Sequence, residues 1–178
     1  MLNGVVGKHL DYVRRFMARH PSVPWDTIAG PRGKKERVAN LQNECVRRYP
    51  DSLYFKIDED VFVSPGWVEK LTAAYEDFKH EDDLALITPL IPNNAVGFYY
   101  LVSSVPELTA EYHRWFSLPL TTECNGPVWN HPELAQWLIR RFLDLERANR
   151  ELAEWKLAPY HKFAYRFSIN CLVYDYRH

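Results

Sequence analysis

Apolar and polar positions recur along this chain with two periods, and the periods divide it into elements. Leu10, Val13, Phe16 and Met17 fall at helical spacing within residues 8–20, with Arg14, Arg15 and Arg19 on the outside. They predict an amphipathic helix, ended by Pro21 and Pro24. The apolar run 1–6 ahead of it reads as the tail of a strand, and residues 25–29 as a second short strand before the loop Gly30-Pro31-Arg32-Gly33. Residues 34–48 predict another helix, with Val38, Leu41 and Cys45 inward. Leu53 to Ile57 reads as a buried strand that stops at Asp58-Glu59-Asp60. A short apolar run follows at 61–63, and then Ser64 and Pro65, a good N-cap and a good first helical residue. Trp67, Val68, Leu71, Ala74, Tyr75 and Phe78 form the apolar stripe of that helix, and residues 84–88 read as the next buried strand. Strand, carboxylates, helix, strand is the order of a parallel α/β arrangement.

In the second half, residues 89–97 read as a loop and 98–102 as a strand or the start of an aromatic-rich helix. Pro106 opens a helix over 106–117 with Leu108 and Tyr112 inward. After an irregular stretch at 118–130, His131-Pro132 opens the longest helix, running to about residue 155 with Leu134, Trp137, Leu138, Phe142 and Leu145 on one face. Residues 166–174 alternate as a strand. No repeat, low-complexity tract or linker interrupts the 178 residues, which read as a single domain.

Composition narrows the function classes. The chain is 47% hydrophobic and 25% charged, ordinary for a globular protein with a real core. A net charge of −1 gives a nucleic-acid partner no electrostatic support. Cys45, Cys124 and Cys171 match neither zinc spacing nor a disulfide framework, so a cytoplasmic location is expected. No apolar run reaches the ~18–20 residues of a membrane span, and the first residues lack the layout of a signal peptide. Nothing in the pattern sets an oligomeric state.

The acidic cluster carries the candidate chemistry. Side chains alternate along an extended segment, so Asp58 and Asp60 project to one side while Glu59 points away. Paired carboxylates at the carboxyl end of a strand sit where open α/β sheets place ligands. They repel unless a cation lies between them. A hard, oxygen-bound divalent ion, Mg²⁺ or Mn²⁺, is the natural guest, and its open positions suit a diphosphate.

Lys56-Ile57-Asp58-Glu59-Asp60-Val61, with Pro65 and Trp67 behind it, resembles the Asp-x-Asp region of family-2-like glycosyltransferases of the GT-A fold. Gly33-Lys34-Lys35-Glu36-Arg37-Val38-Ala39-Asn40 is similar to the glycine-and-basic helix that precedes that region. The resemblance covers residues 23–75 and implies an α/β, GT-A-like and Rossmann-related fold: a mixed, mostly parallel sheet flanked by helices. Residues 1–88 would be a partial donor- and metal-binding half and 89–178 the acceptor-side half. The opening strand–helix–strand unit of such domains is reduced here to residues 2–6, so the expected fold is a truncated one.

The same resemblance implies metal-dependent transfer of a sugar from a nucleotide-diphosphate sugar to the hydroxyl of a glycan or other acceptor, with Mn²⁺ or Mg²⁺ as cofactor. Asp60 would be a direct metal ligand, and Asp58 would bind metal through water or hold the ribose. His161, or else His178, would be a late histidine ligand. Arg32, Lys34 and Lys35, at a helix start, are candidates for diphosphate contact, and Asn40 for lining the site. Asn93 and Asn94 either bind sugar hydroxyls or form a turn. The loop holding Glu123, Cys124, Asn125 and Trp129 reads as an acceptor pocket, with Glu123 the first choice of general base and Asp175 and Glu111 the alternatives. Two other readings compete. One is a nucleotidyl- or phosphotransferase built on the same carboxylate–metal–phosphate logic. The other is a non-catalytic binding domain whose acidic cluster is a solvated turn.

Overall fold

The computed structural model describes residues 2–3, 7–30, 36–58, 60–123, 130–158, 160–163 and 170–176. Seven helices run through the described residues: α1 (Lys8–Arg19), α2 (Glu36–Arg48), α3 (Trp67–Phe78), α4 (Ala95–Ser104), α5 (Pro106–Trp115), α6 (Pro132–Phe142) and α7 (Leu145–Glu154). The strands are β1 (Leu2–Asn3), β2 (Ala29–Gly30), β3 (Leu53–Ile57) and β4 (Cys171–Asp175). The chain divides into two units, one essentially Met1–Leu53 and the other Tyr54–Tyr176.

In the first unit β1 and β2 pair in parallel, Leu2 with Ala29 and Asn3 with Gly30, and α2 packs on both. Ile28, Leu41 and Val46 are its buried apolar residues. The expected inward Val38 is exposed, and Cys45 is half-buried. Arg48 joins Glu44, at 2.9 Å, to Asp26, at 3.0 Å, and the Tyr49 hydroxyl donates to the same Asp26 carboxylate at 2.8 Å. Tyr49 first and Arg48 second hold the Asp26 carboxyl below its usual range. No residue of α1 is buried. The ring of Phe16 lies 4.6 Å from His20 and meets Trp25 edge-on at 5.8 Å.

The second unit is built around α4. Six of its residues, Ala95, Val96, Gly97, Phe98, Leu101 and Val102, are buried, so it has no solvent face of the usual kind and must be surrounded. Asn94 starts it by accepting the Val96 N–H at 3.1 Å. Fully buried Val105 ends α4 and also begins α5, where Pro106 occupies the first turn. Thr109 secures this corner by donating its hydroxyl to the Val102 carbonyl at 2.6 Å. Leu108, Tyr112, Leu134, Leu138 and Phe142 complete the core from α5 and α6. Tyr112 meets Phe98 edge-on at 5.6 Å and donates its hydroxyl to the Leu118 carbonyl.

The structure corrects the sequence in its main architectural expectation. A mostly parallel, GT-A-like α/β sheet flanked by helices is not what forms: the described chain is 52% helical, and β3 and β4 make an antiparallel pair. Residues 84–88, expected as a strand, contribute a single antiparallel bridge, Ile87 to Val173. Residues 98–102, readable as a strand or as the start of an aromatic-rich helix, lie inside α4, a ten-residue helix that Asn94 caps. The long helix expected from 131 to 155 is two, since Asp144 accepts the Arg147 N–H at 3.0 Å and caps a fresh start at Leu145. The helix expected at Ser64-Pro65 begins at Trp67 instead, after Gly66 in the left-handed conformation (φ 72°).

Leu108→Ala is expected to destabilise the chain by about 2–5 kcal/mol, because it opens a cavity in a fully buried layer. Leu143→Ala, at a position 65% exposed, should change stability by under about 0.5 kcal/mol. Urea denaturation of the two variants, followed by helical circular dichroism, checks the contrast.

Candidate functional site

The turn that closes β3 holds the acidic cluster. Its geometry starts in the backbone: the Asp58 N–H donates to the Asn170 carbonyl at 2.8 Å, and the Val61 N–H donates to the Asp58 carbonyl at 3.2 Å. The first bond extends the β3–β4 ladder, and the second turns the chain back toward α3. Phe55 and Trp67, edge-on at 6.0 Å, pack together behind the turn. Asp60 is exposed, and the Asp58 side chain is 34% exposed. Lys56 lies two residues back on the same face of β3 and sets its ammonium on Asp58 Oδ1. Its side chain is only 19% exposed, so this pair is partly withdrawn from water.

On the neighbouring strand, Cys171 is fully buried and Thr88 donates its hydroxyl to the Cys171 carbonyl at 2.8 Å. Burial pushes the Cys171 thiol up; Lys56 pulls it the other way, and Asp58 adds to the rise. Cys171, Lys56 and Asp58 therefore share one electrostatic neighbourhood.

Among the described residues no three His, Cys, Asp or Glu side chains gather into a set that could hold a metal ion. Asp58 and Asp60 are two carboxylates on one turn, the oxygen donors that Mg²⁺ and Mn²⁺ take. Such ions are commonly held by one or two carboxylates, with substrate phosphates and water supplying the remaining oxygens.

No family model, curated protein or solved structure matches the chain.

Arg32, Lys34, Lys35, Trp129 and His178 lie outside the described residues, as do Glu59, Cys124 and Asn125. Asn40 is exposed on α2, in the first unit. Asn93 is exposed in the turn before α4, while Asn94 spends its side chain on the cap of that helix. Glu123 is exposed, with its backbone N–H on Thr121 Oγ1 at 3.2 Å. Glu111 accepts from Trp137 Nε1 at 2.8 Å and faces Arg141 at 3.7 Å, an arrangement that fastens α5 to α6. His161 is exposed, its ring 5.7 Å from Tyr100.

Asp175 is 6% exposed and accepts the Tyr75 hydroxyl at 2.8 Å. It lies at the opposite end of β4 from Cys171, four residues or about 13 Å along the strand, so it does not join Asp58. The structure thus keeps Asp58 and Asp60 on one turn and adds Lys56, which the sequence reading passed over. The signal was there: alternation along the strand aligns Lys56 with Asp58.

Tyr75→Phe removes a donor from a buried carboxylate and should cost about 1–3 kcal/mol in chemical denaturation. Iodoacetamide under native conditions should modify half-buried Cys45 well before Cys171, as read by peptide mass mapping. Equal rates would contradict the packing of β4.

Proposed function

We propose that the chain is a metal-dependent glycosyltransferase that moves a sugar from a nucleotide-diphosphate sugar to an acceptor hydroxyl. The observation that carries the reading is the turn after β3, where Asp58 and Asp60 stand two residues apart, both reachable from solvent and anchored through the Asp58 backbone to Asn170. Mn²⁺ or Mg²⁺ would supply Lewis-acid stabilisation of the negative charge that develops on the departing diphosphate. Asp60, the more exposed carboxylate, is the direct metal ligand in this proposal, and Asp58 either joins it through water or holds the donor ribose. The acceptor hydroxyl has to give up a proton. Asp175 is buried against Tyr75 and Glu111 is engaged by Trp137, so the role of base goes to exposed Glu123. No helix among the described residues is long and apolar enough to cross a membrane. A cytoplasmic site of action is part of the proposal and rests on the cysteine pattern.

One observation favours a second reading, a non-catalytic binding domain. Lys56 already neutralises Asp58, as it would in a turn whose charges serve only the fold. Thermal denaturation with UDP-, GDP- and dTDP-sugars, each with and without Mn²⁺, separates the two. For the transferase, one nucleotide sugar at a hundredfold excess over its Kd raises Tm by about 5–10 °C. That rise requires Mn²⁺ and disappears in Asp60→Ala. If no nucleotide sugar produces a metal-dependent rise, the binding-domain reading replaces it.

A further inference from the structure

We propose that α1 is a docking surface for an anionic lipid membrane. The helix lies flat on the bilayer, with its aromatic edge in the headgroup layer and its basic side chains on the lipid phosphates. The proposal stands apart from the transferase reading and does not depend on the acidic turn.

The helix is amphipathic, yet the fold leaves its apolar side open. At 3.6 residues per turn, Tyr12, Phe16, Val13, Met17 and Leu10 cover an arc of about 160°. None of them is buried. Leu10, Val13 and Met17, on one side of the arc, are half-buried, whereas Tyr12 and Phe16, on the other, are 59% and 40% exposed. The loop after α1 widens this aromatic edge. Trp25 donates its indole N–H to the His20 carbonyl at 2.8 Å, and its ring meets Phe16 edge-on at 5.8 Å while staying 43% exposed. Val23, in the same loop, is exposed as well. Rings of this kind, apolar with a polar handle, favour the boundary between lipid and water. At 12 residues α1 is too short to cross a bilayer, so it lies along the surface.

Charge complementarity names the occupant. α1 carries Lys8, Arg14, Arg15 and Arg19 against the single acid Asp11. Around the helix, Arg14 borders the apolar arc beside Leu10, and Lys8 and Arg19 border it beside Tyr12. Arg14 lies 3.7 Å from Asp11, but Lys8, Arg15 and Arg19 have no ion-pair partner among the described residues. Basic side chains that flank an apolar stripe lay their stems along lipid and set their charge among the phosphates. The bias extends beyond α1. The first 53 residues hold ten Lys and Arg against five Asp and Glu, whereas residues 54–178 hold twelve against eighteen. A negative surface therefore attracts the first part of the chain and repels the rest. A second copy of the chain is a poorer occupant, because two-fold pairing of α1 would set each helix's cations against the other's. A nucleic-acid duplex would take the cations and leave the apolar arc in water.

The test is co-sedimentation of the full chain with sucrose-loaded vesicles of phosphatidylcholine, alone or with about a third phosphatidylserine. The chain should bind the anionic vesicles at least about tenfold more tightly than the neutral ones, and lose most of that preference between about 0.1 and about 0.5 M KCl. The double variant Arg15→Gln/Arg19→Gln should bind anionic vesicles about twenty- to thirtyfold more weakly, at about fivefold per cation. Phe16→Ala should weaken binding about tenfold through lost apolar burial. Leu143→Ala, which removes an exposed apolar side chain from the second unit, should bind as the parent does. Circular dichroism checks that each variant folds, and Tyr12→Ser takes the place of Phe16→Ala if that chain loses helix.

Two results overturn the proposal. If the anionic vesicles bind no more tightly than the neutral ones, or neither binds, α1 is not a lipid-docking surface. If the arginine variant weakens binding to vesicles and to a DNA duplex alike, while Phe16→Ala changes neither, α1 is a general polyanion surface and its apolar arc has no part in docking.

Discussion

A helix with almost no polar surface is the constraint on which the larger unit depends. α4 buries six of its ten residues and leaves only Ser103 and Ser104, at its C-terminal end, exposed. Such a helix is stable only when other elements enclose it. The tight corner at Val105 folds α5 directly back onto it, and α6 supplies Leu134 and Leu138 to the same layer. Aromatic contacts finish the enclosure, with Phe98, Tyr112 and Trp137 meeting edge-on at centroid distances between 5.6 and 6.5 Å. The polar ends of these rings are satisfied within the fold, Tyr112 on Leu118 and Trp137 on Glu111.

The strand pair answers to a different requirement. A lone two-stranded ribbon is marginal in water, and β3–β4 is supported from its surroundings. α3 packs on β4 through Tyr75, whose hydroxyl satisfies the buried Asp175. Ile87 adds a bridge to Val173 with hydrogen bonds of 2.9 and 2.8 Å. One end of the ribbon is therefore buried and closed by Asp175, while the other opens onto the turn with Asp58 and Asp60. The two ends use carboxylates oppositely: Asp175 is held by a neutral hydroxyl inside the protein, and Asp58 by an ammonium near its surface.

Local patterns were legible in the sequence where one period dominated. Residues 8–19 and 36–48 form helices, Leu53–Ile57 a strand, and the Pro106 helix begins at the residue that opens it. Legibility failed where a short apolar run fits two structures. Residues 84–88 have the composition of a buried strand and form a single bridge, while residues 98–102, readable as a strand or as the start of a helix, are part of α4. The sheet expectation rested on the order strand, carboxylates, helix, strand over residues 53–88 and on a resemblance confined to residues 23–75. In the candidate site, the shared face of Lys56 and Asp58 was readable from alternation, but the turn closed by the Val61 N–H on the Asp58 carbonyl ends the extended segment before Asp60. That Asn94 is a helix cap, that Glu111 binds an indole and that Asp175 is buried were not readable, because each depends on a partner brought near by folding.

The partners of the β3–β4 region are far apart along the polypeptide. Tyr75 and Asp175 are separated by 100 residues, and the backbone bond that fixes Asp58 reaches to Asn170. A ribosome releases the N-terminal part first, so the acidic turn emerges long before the segment that shapes it. Helices α4 to α7, whose contacts are more local, are free to assemble during that interval. During synthesis the nascent chain therefore carries its carboxylates on an unpaired strand edge, and their geometry is set only when β4 leaves the exit tunnel.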